Sequence, residues 1–288
     1  MGNTFYSSSN AATARASTGA FTNTVSENFK QRAVHREMDP VDITLREARD
    51  SEEHPNSLAI ILGLDVTGSM GSVPQKLCRD GLPMIMGKII QSGTLDPAVL
   101  FLGIGDHECD SKPLQVGQFE SGDEELDHWL NNTWLEGGGG GNYGESYLLA
   151  WYFAAKHTAI DCWEKRERKG LLITIGDEPP LRDLPVLAQK QIMQTGQFVD
   201  ETAAGLLEQA QRTYDVHHIH LLHHGGGTTN TRYGTADWDQ LLGEDFVHVA
   251  QSADKIPAMV IDIVVNHPGG GDKLVEPDFK QSDSDVVL

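Results

Sequence analysis

Four short segments of this chain are apolar almost throughout: 57–64 (SLAIILGL), 98–104 (AVLFLGI), 171–175 (LLITI) and 216–222 (VHHIHLL). A strand with one wet face alternates apolar and polar residues, whereas an unbroken apolar run marks a strand covered on both faces. A shorter run of the same kind, 246–249, follows. Between these runs the pattern predicts helices over about 73–92, 123–134, 144–158, 201–213 and 252–265. Strands alternating with helices imply right-handed crossovers. The expected fold is therefore α/β and doubly wound, a mostly parallel central sheet with helices on both faces. The segment 114–119 (LQVGQF) alternates instead, and reads as one antiparallel edge strand. No internal repeat is present. In open sheets of this kind ligands bind at the carboxyl ends of the strands, so the loops that follow the strands are where chemistry is to be sought.

The chain of 288 residues supports one sizeable core, because a domain of roughly 200–250 residues buries about 70–75% of its unfolded surface. Residues 1–40, polar and of low complexity, read as a flexible N-terminal arm, residues 41–267 as the folded domain, and residues 268–288 as an acidic disordered tail. With 42 Asp and Glu against 22 Lys and Arg, the net charge is −20. Such a chain repels nucleic-acid phosphates and anionic membranes, so neither is expected as a partner. Cys78, Cys109 and Cys162 are scattered and form no CxxC pair, which argues against a disulfide framework or a structural zinc. The first twenty residues lack the apolar core of a signal peptide, and no run approaches the length that spans a bilayer. A cytoplasmic location is expected.

The loop after the first apolar run reads Asp65-Val66-Thr67-Gly68-Ser69-Met70-Gly71. It places a carboxylate and two hydroxyls at alternate positions between a strand and a helix, with glycines that permit a tight turn. Hard oxygen donors suit Mg²⁺ or Mn²⁺ rather than zinc. The competing explanation is a helix cap, the common role of Ser or Thr at such a point. Two further loops bear on the choice. Gly137–Asn142 (GGGGGN), followed by Tyr143-Gly144-Glu145-Ser146, offers Asn142 as an oxygen ligand, or else is a flexible linker. Gly176-Asp177-Glu178-Pro179-Pro180 follows the run LLITI and puts Asp177 at the carboxyl edge, or else Asp177 caps the next turn. Three oxygen-rich loops in the order of one sheet edge are harder to explain separately than together.

On these residues the chain resembles the von Willebrand factor A (vWA) domains, a Rossmann-like family. Asp65-Val66-Thr67-Gly68-Ser69 is similar to the family's Asp-x-Ser-x-Ser metal-ion-dependent adhesion site, with Thr67 at the middle Ser. The family's second element, a Gly-Gly-Thr loop, is replaced by Gly141-Asn142. A branch found with alpha-type kinases carries Gly-Gly-Gly-Asp-x-x-Glu there, to which Gly139–Glu145 is similar with Asn for Asp. Gly105-Asp106-His107 resembles that branch's Arg-Asp-His stretch, and Ile175–Pro180 resembles the third element, a strand ending in Asp. The resemblance spans about residues 57–265. It implies Asp65, Thr67, Ser69, Asn142 and Asp177 as ligands of one Mg²⁺ or Mn²⁺, with Asp106, His107 and Glu145 supporting them by hydrogen bonds. It further implies an adaptor: the cation keeps an open position for an Asp or Glu of a protein partner. Bacterial proteins of this kind often act beside AAA-type ATPases or kinases.

Two alternatives stand beside that reading. A metal-dependent hydrolase would need a general base near a metal-bound water, for which Glu178, Glu145 and His107 are the nominees. No spacing ties them to that role, and no catalytic residue is assigned. A structural subunit of a larger assembly would use residues 1–40 as a docking arm. The cluster His107-Glu108-Cys109-Asp110 is either a second metal site or a polar loop supporting the first. Alternation places His218, His220 and His224 on one strand face and His217 and His223 on the other, open to zinc binding or to a pH-responsive edge. Gly103–Glu108 begins like a dinucleotide fingerprint but lacks its third glycine; no Walker lysine or Gly-x-Ser-x-Gly follows a strand. Trp129, Trp134, Trp151, Trp163 and Trp238 read as core or groove residues.

Overall fold

The structure, a computed structural model, describes residues 32–91, 96–135, 142–222 and 235–268. The expected arm up to residue 31, the glycine run, His223 and His224, and the tail from residue 269 lie outside the described residues. Residues 36–42 form two short 3-10 turns with Met38 fully buried, so packing begins by this point.

Ten strands are present among the described residues: β1 (Arg46–Ala48), β2 (Leu58–Asp65), β3 (Pro97–Ile104), β4 (Leu114–Val116), β5 (Thr158–Ile160), β6 (Gly170–Gly176), β7 (Asp183–Leu184), β8 (Glu201–Thr202), β9 (Tyr214–Leu221) and β10 (Val247–Ala250). Six of them make the central sheet, in the order β10-β9-β6-β2-β3-β4. Every pairing in it is parallel except β3 with β4. The four long apolar runs are therefore strands, and the alternating segment is the antiparallel edge. That edge strand ends at Val116, short of the expected Phe119. Beyond it the register shifts by one residue, from Leu102 opposite Val116 to Val99 opposite Glu120, which marks a bulge. Two small two-stranded sheets, β1-β5 and β7-β8, were not anticipated.

Alternation along the strands divides the core. Leu58, Ile60, Leu62 and Leu64 of β2 face one layer and Ala59 and Ile61 the other. The first layer holds α1, which runs as Val73–Lys76, a π-helical stretch Leu77–Gly81 and Leu82–Gln91, with α2 (Asp123–Asn132) and α8 (Ile256–Asn266). The second holds α3 (Leu148–Lys156), α4 (Asp161–Glu164), α5 (Val186–Ile192), α6 (Ala203–Ala210) and α7 (Ala236–Leu242). Helix α3 is buried from Leu148 to Ala154, as a helix apolar all round must be. Helices α4, α5 and α7 went unforeseen because four to seven residues are too few to show a 3.6-residue period.

One departure shapes the site. The helix expected from residue 144 starts only at Leu148. Residues 142–147 are instead non-helical, tied to the loop after β6: Glu145 N donates to Pro179 O at 2.9 Å, and Leu181 N to Glu145 O at 2.9 Å. Gly144, at φ +115°, makes this approach possible, since a Cβ there would stand 2.8 Å from Pro179 O.

Candidate metal centre

From β2 the chain steps to β3 on one side and later to β6 on the other, so the order reverses between β2 and β6. A crevice opens at the carboxyl ends of such a pair. Asp65 ends β2, opposite Ile104 of β3, and Leu64 pairs with Ile175 of β6. Asp106 and Asp177 each follow within two residues of their strand ends. Parallel register alone thus brings three carboxylates from three adjacent strands to one rim.

Hydrogen bonds join them. Thr67 donates its hydroxyl to Asp65 Oδ1 at 2.6 Å and its backbone N–H to the same oxygen at 2.9 Å. The hydroxyls of Thr67 and Ser69 lie 3.1 Å apart, and Ser69 donates to Asp177 Oδ1 at 2.9 Å. Asp65, Thr67, Ser69 and Asp177 therefore form one continuous chain of oxygens. The cap explanation fails here: Thr67 precedes a 3-10 turn, Gly68–Met70, but makes no capping bond, and Pro185, not Asp177, precedes α5.

The second and third loops supply more. Asp106 is fully buried; its Oδ1 accepts from Glu108 N at 2.8 Å, and its backbone N–H donates to Asp110 Oδ2 at 2.7 Å. His107 donates its backbone N–H to Ser146 Oγ at 2.8 Å, and its ring Nδ1 pairs with the same oxygen at 2.7 Å. These bonds tie the 106–110 loop to the segment before α3 and support the rim rather than build a second cluster. Glu145 is buried beside Thr67, Asp65 and Asp106. Asn142 departs from expectation: it is exposed and donates its amide to Glu108 Oε2 at 2.9 Å. Because 142–147 is non-helical, the inward carboxylate of this loop is Glu145, three residues on, and Asn142 stays at the surface.

Sequence reasoning missed Tyr147, which is fully buried and donates to Asp65 Oδ2 at 2.7 Å. Its hydroxyl fits because residue 176 is glycine: a Cβ there would stand 1.8 Å from it. The glycine just before Asp177 was the available signal. Behind Tyr147, Trp238 donates Nε1–H to Glu178 O at 3.0 Å and stacks on His218 at 3.5 Å between centroids. His218 also pairs with Thr174 Oγ1 at 2.9 Å, while His217 pairs with His248 at 3.1 Å on the opposite face. His217 and His218 thus make their contacts on opposite faces of β9. Trp151 and Trp238 are core residues, as expected.

The electrostatics are those of a site short of positive charge. Burial, and then the nearby Asp177, raise Asp65 to about 6 in spite of the bonds from Thr67 and Tyr147. Burial, and then Asp65, Asp106 and Asp110, push Glu145 up to about 9. Asp106 Oδ2 and Glu145 Oε2 are buried with no hydrogen-bond partner, an arrangement that costs free energy unless a ligand meets it. The donors are carboxylate and hydroxyl oxygens, the set preferred by a hard divalent cation. Among the described residues no three His, Cys, Asp or Glu side chains converge tightly enough to hold an ion alone, so the hydroxyls of Thr67 and Ser69 are needed with the carboxylates. With them, the residues fit.

No protein-family model matches this chain, and no curated protein matches it in sequence. Solved structures do. The pilus adhesin SpaC of Lactobacillus rhamnosus GG is similar at a TM-score of 0.50 and 13% identity, over 75% of this chain and 30% of that one. Proximal thread matrix protein 1 of the mussel byssus, with a zinc-occupied MIDAS motif, is similar at 0.45 and 11%, over 77% and 49%. An aerotolerance-related membrane protein of Bacteroides fragilis is similar at 0.42 and 12%, over 71% and 97%. This chain spans under a third of the adhesin's length and about half of the mussel protein's. No helix among the described residues is long and apolar enough to cross a membrane. Sheet order and structural likeness together establish the fold as a vWA-like α/β sheet, with its carboxylate cluster at the switch point.

Proposed function

We propose that this protein is a cation-dependent interaction module, non-catalytic, that grips a protein partner through an Asp or Glu of that partner. The observation that carries the reading is the unbroken oxygen chain Asp65–Thr67–Ser69–Asp177 at the switch point. Asp65 and Asp177 supply two negative charges, enough to balance one Mg²⁺ or Mn²⁺, and Thr67 and Ser69 supply neutral oxygens. When bound, the cation provides an electrophilic point charge with a position left for a carboxylate from outside. The chain's own residues do the positioning. Tyr147 fixes Asp65 from behind, Trp238 holds the backbone of Glu178, and Ser146 holds His107. Gly144 and Gly176 let this shell close, since a Cβ at either would meet Pro179 O or the Tyr147 hydroxyl. We further propose that the module serves as a cytoplasmic adaptor, with an AAA-type ATPase or a kinase as the class of machine it joins.

Calorimetric titration with Mg²⁺ and Mn²⁺ tests the reading. Wild type is expected to bind, and Asp177→Ala to bind at least tenfold more weakly. A wild-type protein that takes up neither ion at millimolar concentration refutes it. Turnover of a generic phosphoester or peptide substrate by the Mn²⁺-loaded protein, abolished by Asp65→Ala, refutes the non-catalytic assignment.

A further inference from the structure

Resting on the interaction-module reading, the geometry points to a second divalent cation beside the first, held by Asp106 Oδ2 and Glu145 Oε2. Four carboxylates line this rim, and each is at least nine-tenths buried: Asp65 and Asp106 at 0% exposure, Glu145 at 6% and Asp177 at 7%. One divalent ion balances two of them. None of the ion pairs formed by described residues involves Asp65, Asp106 or Glu145, so no side-chain cation balances the rest.

Two buried carboxylate oxygens lie outside the hydrogen-bonded group Asp65–Thr67–Ser69–Asp177 that is assigned to the first ion. Asp65 is used on both oxygens, by Thr67 and by Tyr147, and Asp177 Oδ1 by Ser69. Asp106 Oδ1 takes the N–H of Glu108, and Asp110 Oδ2 takes the N–H of Asp106, which turns Asp110 to a structural task. Asp106 Oδ2 and Glu145 Oε2, one from the loop after β3 and one from the segment before α3, are both buried and both without a hydrogen-bond partner. The residues beside them are linked, since Ser146 N donates to Gly105 O at 3.2 Å. Magnesium and manganese ordinarily use one or two carboxylates and fill the remaining positions with water, so two such oxygens suffice. Glu145, which also reaches Thr67, forms the shared wall between the two positions. The partner's carboxylate then meets a paired rather than a single cation.

The test is a Mn²⁺ titration of the full chain by calorimetry, with electron paramagnetic resonance on the loaded samples. Wild type is expected to take two equivalents and to show a broadened, spin-coupled signal. Glu145→Gln and Asp106→Asn, close to isosteric, are expected to take one equivalent and to give the resolved six-line spectrum of an isolated ion. Asp177→Ala is expected to weaken the first site while Asp106 and Glu145 still bind. One equivalent in wild type, unchanged in Glu145→Gln, overturns the second site and leaves the proposed function standing. Loss of all binding in Glu145→Gln, in protein whose circular dichroism is unaltered, overturns it too, because Glu145 would then belong to the first ion. No binding in wild type defeats the proposed function itself.

Discussion

Stripped of metal, the protein should lose stability as pH rises from 7.0 to 8.5, and Glu145 should be the reason. An ordinary Glu titrates near 4.5; here burial, and then Asp65, Asp106 and Asp110, hold the proton on Glu145 up to about 9. The sign follows from proton counting. In this window the unfolded chain has released the proton and the folded chain retains it, so unfolding releases one proton and is favoured by rising pH. One proton corresponds to a slope of up to about 1.4 kcal/mol per pH unit, or about 2 kcal/mol over the window. For a protein of this size that is a fall of roughly 4–8 °C in melting temperature. Few other groups contribute across this window. Asp65, raised to about 6, has finished titrating. His107, His157, His217, His218, His248 and His267 are all lowered by burial. Their folded values lie below the unfolded value, so they add stability as pH climbs toward 7 and nothing beyond about 7.5. Cys109, raised to about 11 first by its bond with Asp106, and Cys162, raised by burial, begin to lower stability only as pH nears the unfolded thiol value of about 8.5, and they do so alike in wild type and Glu145→Gln. The assay is thermal and urea unfolding in EDTA at half-unit steps, for wild type and for Glu145→Gln. Between pH 7.0 and 8.0 the wild-type slope should vanish in the variant. Saturating Mg²⁺ should remove it from wild type as well, since the ion displaces the proton and binds better as pH rises. Equal slopes in wild type and Glu145→Gln would refute the reasoning.

Three further outcomes follow from particular contacts. Tyr147→Phe strands Asp65 Oδ2 in the interior, and should cost about 1.5–3 kcal/mol by urea unfolding, with at least tenfold weaker Mn²⁺ binding. Gly176→Ala drives a methyl group into the Tyr147 hydroxyl; a loss of about 3 kcal/mol or more is expected, with partial recovery in the Gly176→Ala/Tyr147→Phe double variant, which a melting curve reads directly. Met38→Ala empties a fully buried position outside the central sheet and should cost about 2–5 kcal/mol; an unchanged melting temperature would mean that residues 36–42 do not pack against the domain.

The sheet was legible because burial on both faces writes itself into unbroken apolar runs. All four long runs are central strands, and the one alternating segment is the antiparallel strand of the central sheet. Asp65, Thr67, Ser69 and Asp177 could be read for a related reason: each lies within four residues of a strand end. The 142–147 segment could not. Glycines and polar residues before an apolar stretch suggest a helix start, and nothing local reveals that the chain pairs with Pro179 and Leu181. That pairing decides which residue of the loop faces the rim, so Glu145 is buried there and Asn142 lies at the surface. Tyr147 was hidden differently: inside the apolar stretch SYLLAWYF it reads as core, and its hydroxyl acquires meaning only once Gly176 stands beside it.

Strand register also lets a chain this acidic gather four buried carboxylates without losing its geometry. Three of them are placed by strand register, and register in a two-faced strand is held by the whole core: sliding β2 by one residue would exchange Ile60 and Leu62 with Ala59 and Ile61 and mispack both helical layers. The repulsion among the carboxylates therefore cannot relax by shifting strands. It can be relieved only locally, by protons on Glu145 and Asp65 or by cations at the rim. A fold that fixes the backbone so firmly converts electrostatic strain into affinity, and the affinity falls on whatever positive charge the crevice admits. If Glu145→Gln and Asp106→Asn each stabilise the metal-free protein while reducing its Mn²⁺ stoichiometry, that conversion will have been measured in both directions.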